Sequence, residues 1–255
     1  MKLLPWAYLA IAFVFIYLPV GALVLFSFQA STLPVPPFDG PSTRWYAEVL
    51  SDDDLIEALL NSLLVAAASA ALSVVLGFCA AYGLARHVLP GSLLIRALLI
   101  APITVSYLIV GLGLLIMVQR LGLGVSLWTV GIGHVVINLP ICFAILYASM
   151  GAQQENAERA ARDLGASEVQ VVGLITVPML APAILAAFFL SVTLSWDEFI
   201  IAFLLSRFDV TLPVEIWSLL RSGLSPRLNA VGSFVFLVSV TAVLIVELFV
   251  LRKRR

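Results

Sequence analysis

Lysine is almost missing from this chain: Lys2 and Lys253 are the only two, one near each end. A G-x-x-x-x-G-K-[ST] phosphate loop needs a lysine that reaches the β- and γ-phosphates, so the usual P-loop route to ATP hydrolysis is closed. Charge of either sign is scarce, at 11% of residues, where a soluble domain carries about a quarter. Cysteine is equally rare. Cys79 and Cys142 lie in separate apolar runs, where a free thiol acts as a small buried hydrophobe, and they have no metal-site spacing. His87 borders a basic stretch and His134 lies inside an apolar run; both are read as packed or hydrogen-bonded groups rather than ligands. The pairs Gly111/Gly113, Gly122/Gly124 and Gly131/Gly133 follow no strand, so they make no dinucleotide fingerprint, and in helices such pairs permit close packing. No Ser–His–Asp set and no G-x-S-x-G elbow stands out. These absences argue against an enzyme.

What the chain has in quantity is apolar surface. Of its 255 residues 62% are hydrophobic, and the mean hydropathy is +1.11. Apolar runs fall at 6–28, 61–84, 97–118, 127–149, 179–203 and 229–251. A spanning helix needs about 20 mostly apolar residues, which gives about six spans. Most runs lack the alternation of a membrane β-barrel, so the expected class is an all-α polytopic membrane protein with six transmembrane helices. The first run is longer than the ~7–15-residue core of a signal peptide, and Phe28 spoils the cleavage pattern before Ala30; it is read as an uncleaved span. Lys2 precedes the first span and Arg252, Lys253, Arg254 and Arg255 follow the last. Basic residues favour the cytoplasm, which places both termini, Arg86, Arg96, Arg159 and Arg162 inside, and Arg44, Arg120, Arg207, Arg221 and Arg227 outside. The first outside loop is acidic (Asp39, Glu48, Asp52, Asp53, Asp54, Glu57) and reads as a solvated loop.

Between the fourth and fifth runs lies a connection far longer than the 2–8 residues that turning the chain requires. Its signals describe two short helices. Gln153 to Leu164 is rich in helix formers, Gly165 is a C′ stop, and Ser167 with Gln170 makes a capping box for a second helix. Ala157, Ala160 and Ala161 give a small-residue face bordered by Glu158, Arg159, Arg162 and Asp163, suited to close approach by another surface.

This segment resembles the EAA loop of ABC-importer permeases, whose pattern is E-A-A, three residues, G, nine residues, then I-x-L-P. Ala160, Ala161, Gly165, Ile175 and Pro178 take their places in it, with Val177 for the leucine. Arg159 stands where the glutamate is expected, and Glu158 lies one place early. Leu127–Phe143 resembles the span leading into that loop, and Thr211–Ser233 the stretch before the last span of polyamine (spermidine/putrescine) permeases, which also carry an acidic pair where Asp197-Glu198 stands. The resemblance implies a type I ABC importer permease (MetI-like) fold in one domain, 1–255, in a bacterial inner membrane. It implies a coupling helix, around Ala157–Gly165 within a loop of about 151–178, that sits in a groove of a cytosolic ATPase. The implied partners are a second homologous permease, two ATPase subunits that hold the ATP and Mg, a periplasmic or surface substrate-binding protein and the lipid bilayer, with no nucleic acid. No cofactor or metal is expected on this chain itself. Opine-like amino acids and aminophosphonates are rival substrates, and a stand-alone secondary transporter is the rival class; it would have no need of an ATPase-docking loop.

The fifth run contains two adjacent carboxylates, Asp197 and Glu198. Ionised groups at membrane depth are costly and mark pathways, relays or counter-ions. At 100° per residue Ser191, Ser195 and Glu198 share one helical face and Thr193 and Asp197 another, so both acids cannot point at one axis unless the helix unwinds there. One is expected to line a translocation path and the other to face a neighbouring helix or the cavity mouth; the alternative is two interfacial acids, paired or solvated. Ser195 and Trp196 accompany them, the tryptophan as a cation–π partner. Glu215 and Trp217 are second-rank pathway candidates, and Glu247 reads as interfacial or packing. Pro19, Pro102, Pro140, Pro178 and Pro182 are expected bends.

Overall fold

The computed structural model describes residues Leu3–Arg252, with the backbone alone for Leu3, Leu4, Ala7, Ala242 and 245–252. Lys2, the side chains of Glu247 and Arg252, and Lys253, Arg254 and Arg255 therefore lie outside what is described. The helices are α1 (Leu3–Ser27), α2 (Arg44–Leu50), α3 (Asp53–Arg86), α4 (Ser92–Ile100), α5 (Tyr107–Arg120), α6 (Leu127–Ser149), α7 (Ala152–Asp163), α8 (Glu168–Val171), α9 (Val177–Trp196), α10 (Ile200–Leu205), α11 (Leu212–Ser222) and α12 (Pro226–Arg252). A 3₁₀ turn, Ala101–Thr104, follows α4, and a π turn, Val172–Thr176, joins α8 to α9. Among the described residues extended pairing is limited to one isolated bridge, Gln29 with Pro41.

Among the described residues four stretches are long and apolar enough to cross a membrane: Tyr8–Ser27, Asp53–Arg86, Leu127–Ser149 and Glu168–Trp196. The expected third span, 97–118, is broken. Ser92–Thr104 and Tyr107–Arg120 meet at 106° and make a fifth crossing only if counted together. Pro102 lacks the amide a helix would use, and Val105 and Ser106 are extended, with ψ of 138° and 137°. In α12 the described apolar stretch is Pro226–Thr241.

The described residues form two compact units. In Ala58–Val214 the core has two clusters. Val65, Val130, Ile137, Ile201, Ala202, Leu205 and Val214 make one, and Val74, Ala81, Leu84, Cys142, Phe143, Leu146 and Ala187 the other. α3 and α6 contribute to both, so they are the rods on which the unit is built. Their backbones touch at Gly77, where an added Cβ would lie 2.9 Å from both Cys142 Cβ and Phe143 N. Among the glycine pairs, Gly111 and Gly133 meet side chains of the α10 residues Leu204 and Ile201, whereas Gly113 and Gly131 face open space. Gly122 and Gly124 are not helical: each has φ of +68°, in the turn after α5. α3 can run its full length because it contains no proline; Asp52 accepts from the Leu55 amide (3.2 Å), acids open the helix and Arg86 closes it, as the helix dipole favours.

The second unit joins the residues up to Glu57 with those from Glu215. Here α1 packs on α12, with Leu23 against Gly232. The loop after α1 is organised by Gln29, fully buried, whose amide donates to Ser31 and to the carbonyls of Val35 and Pro37. Of the acids read as solvated, Asp52 pairs with Arg227 and Glu48 with Arg44.

Candidate functional site

The fifth apolar run does not stay helical. α9 ends at Trp196 and α10 begins at Ile200, leaving Asp197, Glu198 and Phe199 in a break. The geometry that a continuous helix imposes on the two acids therefore stops at Trp196. Glu198 is buried (5% exposed). Its carboxylate accepts from the amides of Ile200 (3.0 Å), Ile201 (3.1 and 2.9 Å) and Ala202 (3.2 Å). These are the unpaired amides of a helix start, where a negative charge is stabilised by the dipole as well. The acid is an N-terminal cap inside an apolar core.

A chain of buried hydrogen-bonding groups leads away from it. His134 Nε2, on α6, lies 3.4 Å from Glu198 Oε2. His134 Nδ1 lies 2.5 Å from Ser195 Oγ, which lies 3.2 Å from Ser69 Oγ on α3. The tautomer with its proton on Nε2 serves both contacts: Nδ1 accepts from Ser195 and Nε2–H faces the carboxylate. Next to it Asn138 donates to the Ser191 carbonyl (3.4 Å) and Cys142 Sγ lies 3.0 Å from Ser191 Oγ. Polar groups of α3, α6 and α9 thus pair with one another in the buried interior, while Asn138 Oδ1 has no hydrogen-bond partner among the described residues.

Asp197 is exposed, and Trp196 beside it is half-buried. The structure brings Ser195 and Glu198 into one buried network and leaves Asp197 on the surface of the break. Glu215 and Trp217 belong to the other compact unit. There burial first, and then the neighbouring Asp54 carboxylate, push the Glu215 pKa above the usual carboxylate range.

The long connection forms a helical corner. α7 stops with Leu164 at the C-cap and Gly165 at φ +88°, a left-handed turn that disfavours a Cβ. Ser167 and Gln170 then cap α8 reciprocally: the Ser167 amide donates to Gln170 Oε1 (2.8 Å) and the Gln170 amide to Ser167 Oγ (3.4 Å). Ala157 and Ala161 are half-buried, while Ala160, Asp163 and Gly165 are exposed; Ile175 is half-buried and Pro178 exposed. Arg159, at the motif's glutamate position, points outward and pairs with Glu155. Glu158 turns the other way and is fully buried. It accepts from Arg86 Nε (2.7 Å) and Nη2 (3.2 Å), at the end of α3, and from Thr176 Oγ1 (2.9 Å) in the π turn. Arg162 donates to Tyr82 Oη (3.2 Å) and to both Glu168 oxygens (2.7 and 3.1 Å), which hold its pKa above the already high arginine range.

Sequence reasoning did not find Arg86, Thr176, Ser69 or the link from His134 to Glu198. Arg86 was visible only as a charge ending an apolar run, and no local signal pairs it with Glu158, 72 positions away.

Residues 56–255 match the family of binding-protein-dependent transport system inner membrane components, and the chain belongs to that family. It is 27% identical over 248 residues (97% of this chain, 94% of the relative) to the spermidine/putrescine transport system permease protein PotC of Escherichia coli K12. It is 34% identical over 241 residues (91% and 85%) to the putrescine transport system permease protein PotI of the same strain. Among solved structures, a chain of a bacterial ABC transporter involved in import of the acidic polysaccharide alginate superposes with a TM-score of 0.73 at 17% identity, covering 98% of this chain and 95% of that one. That last likeness is one of fold. The chain is a multi-pass inner-membrane permease of the ABC-importer type.

Proposed function

We propose that this chain is a permease subunit of an ATP-driven importer that carries polyamines, such as putrescine and spermidine, across the membrane by alternating access. The observation that carries the substrate class is the similarity, over nearly the whole chain, to two permeases named for polyamine transport. The chemistry of the break agrees with it. An ammonium leaving water needs opposite charge and acceptors to offset its desolvation, and Asp197 presents an exposed carboxylate beside an indole. Asp197 is the pathway acid in this reading, with Trp196 adding a cation–π contact worth about 0.5–2 kcal/mol. Glu198 and Ser195 serve the pathway indirectly, by holding the break. Glu215 and Trp217 remain second-rank pathway groups.

The α7–α8 corner is the ATPase-facing element. Leu164 (90% exposed) and Val169 (83%) project there beside Arg159 and Asp163, an arrangement suited to a groove on another protein. The partner ATPase pair binds ATP and Mg; this chain holds neither. A second permease completes the pathway, a binding protein delivers the substrate, and both termini face the cytoplasm. The test is the complete assembly in proteoliposomes with its binding protein: putrescine-loaded binding protein should stimulate ATP hydrolysis and drive putrescine inward. Stimulation by no polyamine, with an opine-like amino acid or aminophosphonate stimulating instead, would move the substrate assignment.

A further inference from the structure

Glu158 has no exposed surface, so docking to another protein does not explain it. All its contacts are internal, and they tie the α7 helix to two others. Arg86, its side chain 7% exposed, closes α3 and grips the carboxylate with two nitrogens. Thr176 adds a third donor from the π turn at the foot of α9. That turn exists for a local reason: Pro178 cannot donate to the Leu174 carbonyl and its ring crowds it, and widening the preceding turn relieves the clash. The widened turn ends on Thr176, whose hydroxyl reaches Glu158. A carboxylate held by a forked guanidinium and a hydroxyl has one geometry, unlike a contact between apolar faces, which can slide.

Both helices that leave this joint lead to the same place. Along α3, about 26 Å of continuous helix separates Arg86 from Ser69, which bonds Ser195 and through it His134. Along α9, about 30 Å of helix runs from the π turn to Trp196, at the edge of the break that Glu198 caps. All of these residues lie in one compact unit.

We propose that Arg86, Glu158 and Thr176 form a transmission joint: positioning residues that make α7 move as one body with α3 and α9, so that displacement of the loop reaches the Asp197–Glu198 break. This rests on reading α7 as the ATPase-docking element, and the experiment separates the two. In the reconstituted assembly, wild type is measured first; absence of stimulation by binding protein loaded with a polyamine or with any of the rival substrates removes the docking reading and the joint with it. With wild type stimulated by its binding protein loaded with a polyamine or a rival substrate, Thr176→Val should assemble and keep basal ATP hydrolysis while stimulation falls about tenfold, and Thr176→Ser should restore it by returning the hydroxyl. Glu158→Gln should behave like Thr176→Val or worse; if it fails to assemble, the Thr176 pair decides. Unchanged stimulation and uptake in Thr176→Val overturns the joint. So does loss of assembly and basal hydrolysis in both Thr176→Val and Glu158→Gln, which would make the three residues supports of the fold alone.

Discussion

Asp197 and Glu198 are neighbours in the chain with opposite surroundings, because a helix ends before them and another begins after them. Glu198 satisfies three amides of α10 and faces His134; Asp197 is exposed and makes no side-chain hydrogen bond or ion pair with the described residues. Removing Glu198 leaves buried donors unpaired as well as losing the cap. Glu198→Ala is therefore expected to cost about 2 kcal/mol or more, read as a lower unfolding temperature of the purified assembly. Asp197→Ala should stay within about 0.5 kcal/mol of wild type. Equal losses for the two would mean that the cap is not what stabilises the break.

At the level of helices, rigidity and interruption are divided between different elements. α3 and α6 are long, carry the core of their unit and touch backbone to backbone at Gly77. The interruptions fall at Pro102, at the π turn before Pro178 and at the Asp197–Phe199 break. Gly77→Ala should push α3 off α6, since Phe143 N is backbone and cannot rotate away; a cost of about 1–3 kcal/mol is expected. Gly83→Ala on the same helix meets nothing within 4 Å and should be neutral or stabilising by up to about 1 kcal/mol. Thermal unfolding of the two variants side by side checks the contrast. The α7–α8 corner was legible in the sequence because its signals are local: Gly165 for the left-handed turn, Ser167 with Gln170 for the cap. The break at 197–199 was not, because the apolar run continues through it without proline or glycine, and its cause is a cap made by a residue that also reads as a pathway acid. The bend after Pro102 was half legible; proline marked the place, but its 106° depends on the extended Val105 and Ser106.

For the whole molecule, the membrane class and helical fold follow from composition and run length, since hydrocarbon leaves the backbone few ways to pair its amides. What the sequence could not supply were the ties between distant segments: Arg86 with Glu158, His134 with Glu198, Ser69 with Ser195. They join helices whose spacing in the chain carries no trace of their contact. They also redistribute the roles of the acids, leaving Asp197 as the exposed carboxylate of the fifth run and Glu198 as the group that shapes its surroundings. The most direct measurement is uptake of labelled putrescine by proteoliposomes carrying the complete assembly, its binding protein and ATP, with Asp197→Asn in this chain. Assembly and basal ATP hydrolysis should match wild type while uptake falls at least about tenfold, the loss expected when a cation leaving water no longer meets an opposite charge on its path. Uptake at the wild-type rate with the carboxylate gone would contradict Asp197 as a station on the path.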